Sequence, residues 1–207
     1  VGKNIFAMRY SSVCKVDEVR EIENAVFQSG VRADELMKTA GLQAYEAIRE
    51  EYPEIRKFII FCGKGNNAGD GYIIARKALD DGIEVRIVEL YNNESGVALE
   101  VYKELGGEIR KEEFNDSLEI APDYLIIDTI FGIGLTGAVR GIAKDAIEFI
   151  NDLPNQIVAL DCPSGLNCDN GVVENVAVIA NFTVTFIAYK FGLFQNEARD
   201  FTGKLKL

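Results

Sequence analysis

Three short segments of this chain combine acids, amides and a hydroxyl with glycine at spacings that suit ligand chemistry. The first is Gly63-Lys64-Gly65-Asn66-Asn67-Ala68-Gly69-Asp70-Gly71. Glycine lets the backbone turn sharply and approach a ligand, and a following helix N-terminus presents unpaired N–H groups to an anion. It is neither a Walker A loop nor the strict G-x-G-x-x-G fingerprint, because its third glycine falls one place late. The second is Asp128-Thr129-Ile130-Phe131-Gly132-Ile133-Gly134-Leu135-Thr136-Gly137, followed by Ala138. The third is Asp161-Cys162-Pro163-Ser164-Gly165-Leu166-Asn167. Each also has a purely conformational reading. Asp70 would cap a helix behind a tight turn in which Asn tolerates a left-handed conformation, and Asp128 and Asp161 would cap turns.

The elements around these segments decide between the readings. Val16 to Gln28 carries Val16, Val19, Ile22, Ala25 and Val26 as a helical stripe ended by Ser29-Gly30, and Ala33 to Glu50 repeats the pattern until Pro53. The run Phe58 to Cys62 is continuously apolar, as in a strand buried on both faces. A helix is then expected from about Asp70 to Asp81 and a strand over Val85 to Leu90. Glu94 to Leu105 reads as a helix, Tyr124 to Asp128 as a strand, Gly141 to Leu153 as a helix and Gln156 to Asp161 as a strand. Late strands are expected over Phe182 to Ala188 and Lys204 to Leu207. Strands alternating with helices predict a single α/β domain over 1–207, with a mostly parallel sheet, helices on both faces and two N-terminal helices. In such sheets ligands bind at the carboxyl ends of strands, where all three segments fall. Asn67, Asp128 and Ser164 would then face a common centre. Two neutral oxygens, one carboxylate and loop carbonyls suit a hard monovalent cation, whereas a divalent ion usually takes more carboxylates.

Composition narrows the chemistry. Thirty-three acids against 22 bases give a net charge of −11, which argues against sequence-independent nucleic-acid binding. There is no histidine, which excludes Ser-His-Asp and Cys-His catalysis and leaves acid–base work to Asp, Glu, Lys, Tyr or Cys. No apolar run reaches the roughly 18–20 residues that cross a bilayer, so no membrane partner is expected. Residues 1–10 carry no continuous apolar segment and no small-residue cleavage site, so no secretory signal is read. The four cysteines form no C-x-x-C pair and read as reduced thiols in a cytoplasmic protein.

Taken in order, GKGNNAGDG, DTIFGIGLTG and DCPSG resemble the motifs of the N-terminal YjeF domain, the NAD(P)H-hydrate epimerase family. Thr183-Val184-Thr185-Phe186 with Lys190 and Gly192-Leu193, and Leu36-Met37 with Ala40-Gly41, extend the resemblance over nearly the whole chain. It implies a Rossmann-like three-layer αβα sandwich. It implies inversion at C6 of hydrated NADH or NADPH (NADHX, NADPHX), which supplies the S form to an ADP- or ATP-dependent dehydratase. It further implies substrate contacts from Asn66, Asn67, Ala68, Gly69 and Asp70 and from Gly132, Ile133, Gly134, Leu135, Thr136, Gly137 and Ala138. Asn67, Asp128 and Ser164 would bind one K⁺ per subunit. Asp161 would touch the substrate and serve as acid and base in turn, best if burial raises its pKa. A homodimer is expected by the same resemblance.

Two departures stand out. Ala68 replaces a family glycine, so that position should not need a positive φ, and Lys38 reverses the charge of a helix-motif acid. Two rival readings remain. The same domain can serve as a non-catalytic scaffold and dimerisation module, against which stands the presence of Asp161, Asn67 and Asp128. An ordinary NAD-dependent dehydrogenase would use Glu89, about 20 residues past the glycines, as its ribose acid, but the glycine spacing opposes it. A preference between NADHX and NADPHX is not legible.

Overall fold

The computed structural model describes residues 13–91, 96–104 and 108–207. Residues 1–10, read above for a signal, and the ends Glu94 and Leu105 of one expected helix lie outside these. The chain runs β1 (Val13–Cys14), α1 (Val16–Gln28), α2 (Ala33–Glu51), β2 (Lys57–Cys62), α3 (Asn66–Asp80), β3 (Glu84–Glu89), α4 (Val97–Glu104) and β4 (Arg110–Glu113). It continues with β5 (Leu125–Thr129), α5 (Ile142–Asn151), β6 (Ile157–Leu160), β7 (Phe182–Val184) and β8 (Tyr189–Lys190). A 3₁₀ turn (Phe191–Phe194), α6 (Arg199–Thr202) and β9 (Lys204–Lys206) follow.

Seven strands pair in the order β4-β3-β2-β5-β6-β7-β9, all parallel. The alternation of side chains builds a core on each face. Phe58, Ile60 and Cys62 of β2 join Tyr45 and Ile48 of α2 and Tyr72 and Ile74 of α3. Ile59 and Phe61 join Ala143, Ala146, Ile147 and Ile150 of α5 on the other. This is the expected three-layer α/β sandwich. The chain winds outward from β2 through β3 to β4, then returns beside β2 as β5. That reversal opens a crevice at the carboxyl ends of β2 and β5, with β6 alongside.

The helix motif on α2 is a packing device. A Cβ on Gly41 would stand 2.7 Å from Ile73 Cβ, and one on Gly69 would stand 2.4 Å from Met37 Sδ. The two helices therefore meet almost backbone to backbone. Lys38 points away and is exposed. Arg49 closes α2 by donating to the carbonyls of Tyr52, Pro53 and Ile55.

Several boundaries differ from expectation. α3 begins at Asn66, four residues earlier than its apolar periodicity suggested, so the asparagines lie in its first turn and Asp70 is no cap. Ala68 is accordingly helical and lies fully buried, without a positive φ. The strand expected over Phe182 to Ala188 stops at Val184, and the chain then kinks through Ile187 at φ 66°. β4 and the small parallel sheet of β1 with β8 were not anticipated, because a four-residue charged run and two-residue strands have no legible period.

Candidate active site

The crevice holds a cavity of about 510 Å³. Asn66, Asn67, Asp70, Gly132, Ile133, Gly134 and Asp161 line it, together with Lys64 and Gly65. Ala68 and Gly69 are buried within α3, and Leu135, Thr136, Gly137 and Ala138 run on from the same loop without lining the cavity. Gly65, at φ 88°, precedes α3 as its N-cap. The first helical bond runs from Gly69 N to Gly65 O, so the amides of Asn66, Asn67 and Ala68 come before any intrahelical partner. Gly63 is needed for another reason: a Cβ there would lie 1.9 Å from Ile130 O. The first two segments touch through it.

The three residues expected around a cation form one connected network. Asn67 Nδ2 donates to Phe131 O at 2.9 Å. Phe131 N donates to Ser164 Oγ at 2.8 Å, and Ser164 Oγ donates to Asp128 Oδ1 at 2.6 Å. Ser164 N and Ile130 N also donate to Asp128. Asp128 is fully buried, and that burial pushes its carboxyl up to about 6 against the pull of these hydrogen bonds. Asn67 Oδ1 is buried with no hydrogen-bond partner. Such an orphan is rare in a folded chain. Among the described residues no cluster of three or more His, Cys, Asp or Glu could hold a metal.

Asp161 follows β6 in a left-handed conformation, φ 66°, with its amide donating to Val184 O. Its Oδ1 is held by Lys190 Nζ in an ion pair. Lys190 is fully buried and also donates to Thr185 Oγ1 and Phe186 O, both at 2.9 Å. All three ammonium protons are thus placed. Asp161 Oδ2 lies 3.5 Å from where a Cβ on Gly132 would be, an ordinary contact distance, so the Gly132 loop runs directly beside the carboxylate. Beside the burial expected of Asp161, the structure gives it a counter-ion, Lys190.

The cavity has two further acids. Asp70 is held well above its ordinary value by burial, then by the charges of Asp161 and Glu23. Glu23, on α1, is also raised by burial and by Asp161, against Lys190 and Arg20. Glu23, Lys190 and the α1–α2 wall (Val19, Phe27, Leu36 and Met37 among it) were missed as site residues. The conspicuous signal was Lys190, a lysine beside an apolar strand; nothing in the α1 stripe singled out Glu23.

Known proteins resemble this chain in sequence and in fold. The family model described as YjeF-related protein N-terminus matches residues 33–192. The bifunctional NAD(P)H-hydrate repair enzyme Nnr of Escherichia coli is 37% identical over 202 residues, covering 94% of this chain and 38% of that protein. An NAD(P)H-hydrate epimerase of Limosilactobacillus reuteri is 35% identical over 178 residues, covering 85% of this chain and 84% of that one. The chain thus spans less than two fifths of the length of the E. coli relative and most of the length of the other. The crystal structure of yeast YNL200c superposes with a TM-score of 0.80 at 20% identity, over 87% of this chain and 82% of that one, and shares the fold. By sequence and by fold, this chain belongs to the family of YjeF-related protein N-terminal domains.

Proposed function

We propose that the chain is an isomerase that interconverts the R and S forms of hydrated NADH and NADPH at C6 of the nicotinamide ring. The observation that carries this is Asp161, delivered into the cavity from a left-handed backbone and anchored through Oδ1 by a buried lysine. The names of the relatives supply the substrate class. C6 bears both the ring nitrogen and the hydroxyl. The nitrogen lone pair forms a C=N bond as the C6–O bond breaks, the departing oxygen takes a proton from an acid in the site and leaves as water, and water adds back to the planar carbon from the other face. Asp161 takes the proton of that water, a role worth about 10²–10⁴-fold in rate. The amides at the start of α3 and the Gly132 loop bind and orient the dinucleotide. The product would pass to a dehydratase, and a cytoplasmic location and a homodimer complete this reading. A scaffold would need neither the strained acid nor its buried counter-ion.

Asn67, Asp128 and Ser164 are proposed to hold one K⁺. The donor set fits, with an orphaned amide oxygen, a single buried carboxylate and a hydroxyl. Bound there, K⁺ would offset the buried charge of Asp128 and steady both loops.

The test is an R/S mixture of NADHX with a dehydratase that consumes the S form, run with and without K⁺. The R form should drain at a rate set by this protein. Asp161→Asn should lose stability, because Lys190 is left buried without its counter-ion, but while folded it should still bind the ligand and lose at least about 100-fold in rate. Persistence of R at its spontaneous rate under all conditions overturns the reading in favour of a binding or scaffold role.

A further inference from the structure

Inversion at one carbon asks for proton handling on both faces of a ring, and Asp161 is poorly placed to do both. Its Oδ1 is occupied by Lys190, and Lys190 is itself fully engaged. One oxygen remains, at the end of β6, on a residue whose backbone and side chain are both held. A second group must serve the other face. Besides Asp161, the acids lining the cavity among the described residues are Glu23 and Asp70.

We propose that Glu23, on α1, is the second proton-transfer residue of this site and works as the acid partner of Asp161. The inference rests on the epimerase reading above. Four observations carry it. First, Glu23 enters the cavity from the N-terminal helix, a different wall from the one that supplies Asp161. Second, the inward face of α1 departs from its apolar stripe. Val16 and Val19 are buried, Arg20 and Glu23 line the cavity, and Ala25, which the stripe would turn inward, is exposed. Packing does not explain a half-buried carboxyl there. Third, the start of α1 is tied to the catalytic wall. Cys14 of β1 pairs with Lys190 of β8, and Val16 N donates to Asp169 Oδ1 at 2.8 Å. Glu23 lies two turns on, roughly 10 Å along a helix whose start is registered to Lys190. Fourth, Glu23 is partly exposed while Asp70 is 8% exposed, so Glu23 can exchange its proton with water between turnovers.

The electrostatics agree in direction. Glu23 is faced by Arg20 from its own helix, Asp70 from α3, Asp161 beyond β6 and Lys190 from β8. Lys64, before α3, lines the same cavity. Burial and the Asp161 charge favour its neutral form, against Lys190 and Arg20. Two carboxyls that reach one cavity from different walls, one of them held toward its neutral form, give the arrangement an acid and a base require.

The step balances. The C6–O bond breaks with its electron pair going to oxygen, Glu23 gives that oxygen its proton, and one water leaves. The ring nitrogen lone pair forms the C=N bond. One water adds to the opposite face as Asp161 accepts its proton and the C=N electrons return to nitrogen. Glu23 is left ionised and Asp161 protonated. Exchange with solvent resets both, and the reverse reaction uses them in exchanged roles.

The experiment measures kcat and KM for wild type, Glu23→Gln and Glu23→Asp across pH in the coupled NADHX assay, with melting temperatures alongside. Glu23→Gln should keep its melting temperature and its KM within about twofold and lose about 100-fold or more in kcat. An acid must be protonated to act, so the wild-type rate should fall as pH rises through the Glu23 value, and Glu23→Gln should lack that alkaline limb. Glu23→Asp should restore part of kcat. Wild-type kcat in Glu23→Gln, or a loss confined to KM, overturns the assignment while the epimerase reading stands. Absence of turnover in wild type overturns both.

Discussion

Asp161 enters the cavity from a backbone conformation that L residues rarely adopt, a strain of about 1–3 kcal/mol. Ile187, also at positive φ, lines the same cavity, so the strain gathers at the site. Lys190 helps to hold it there. Lys190→Met would strip Asp161 of its counter-ion and should destabilise the protein by about 3 kcal/mol in urea unfolding. Adding Asp161→Asn should recover much of that loss, because no uncompensated charge then remains; a double variant no more stable than Lys190→Met would refute the ion pair as the cause. Asp161 is legible as an acid at the end of an apolar run. The lysine that pins it is separated from it by 29 positions, and the tertiary fold fixes where it sits, through the pairing of β8 with β1 and its bonds to Thr185 and Phe186.

At the scale of elements, the glycines divide by what surrounds them. Gly63 lets the segment after β2 touch the segment after β5, because a Cβ would strike Ile130 O at 1.9 Å. Gly134 has no atom within 4 Å of its hypothetical Cβ and no positive φ. Gly63→Ala should therefore cost about 3 kcal/mol and impair ligand binding, while Gly134→Ala should stay within about 0.5 kcal/mol, as urea unfolding of both would show. The sequence marks both simply as glycine. It likewise set α1 at Val16–Gln28 correctly but misplaced the start of α3, because Asn and Gly in a first turn carry no apolar period.

For the whole molecule, charge is the governing quantity. A net charge of −11 opposes the compact state, and added salt should raise stability by screening. Going from about 20 mM to about 200 mM, KCl should stabilise more than NaCl, the excess reporting the proposed K⁺ site. Equal effects of the two salts in thermal melts would sink that site. Asp70 adds a pH dependence. Its folded value lies well above 3.8, so the folded state binds the proton more tightly than the unfolded state does. That contribution is complete below the unfolded value and is lost as pH rises through the folded one. Asp70→Asn, neutral at every pH, should flatten the decline of stability toward alkaline pH; an unchanged slope would show that Asp70 is ionised in the native state.

Composition, apolar periodicity and three ordered motifs settled the α/β class, the parallel sheet and the segments that converge at its carboxyl edge. These depend on local patterns, and the handedness and packing of such elements leave few arrangements open. Only the tertiary structure decided which of the motif residues line the cavity, how Phe131 links Asn67 to Ser164 and Asp128, and that Lys190 and Glu23 belong to the site. Burial and ion pairing are relations between residues far apart in the chain, and a short-range pattern holds no record of them.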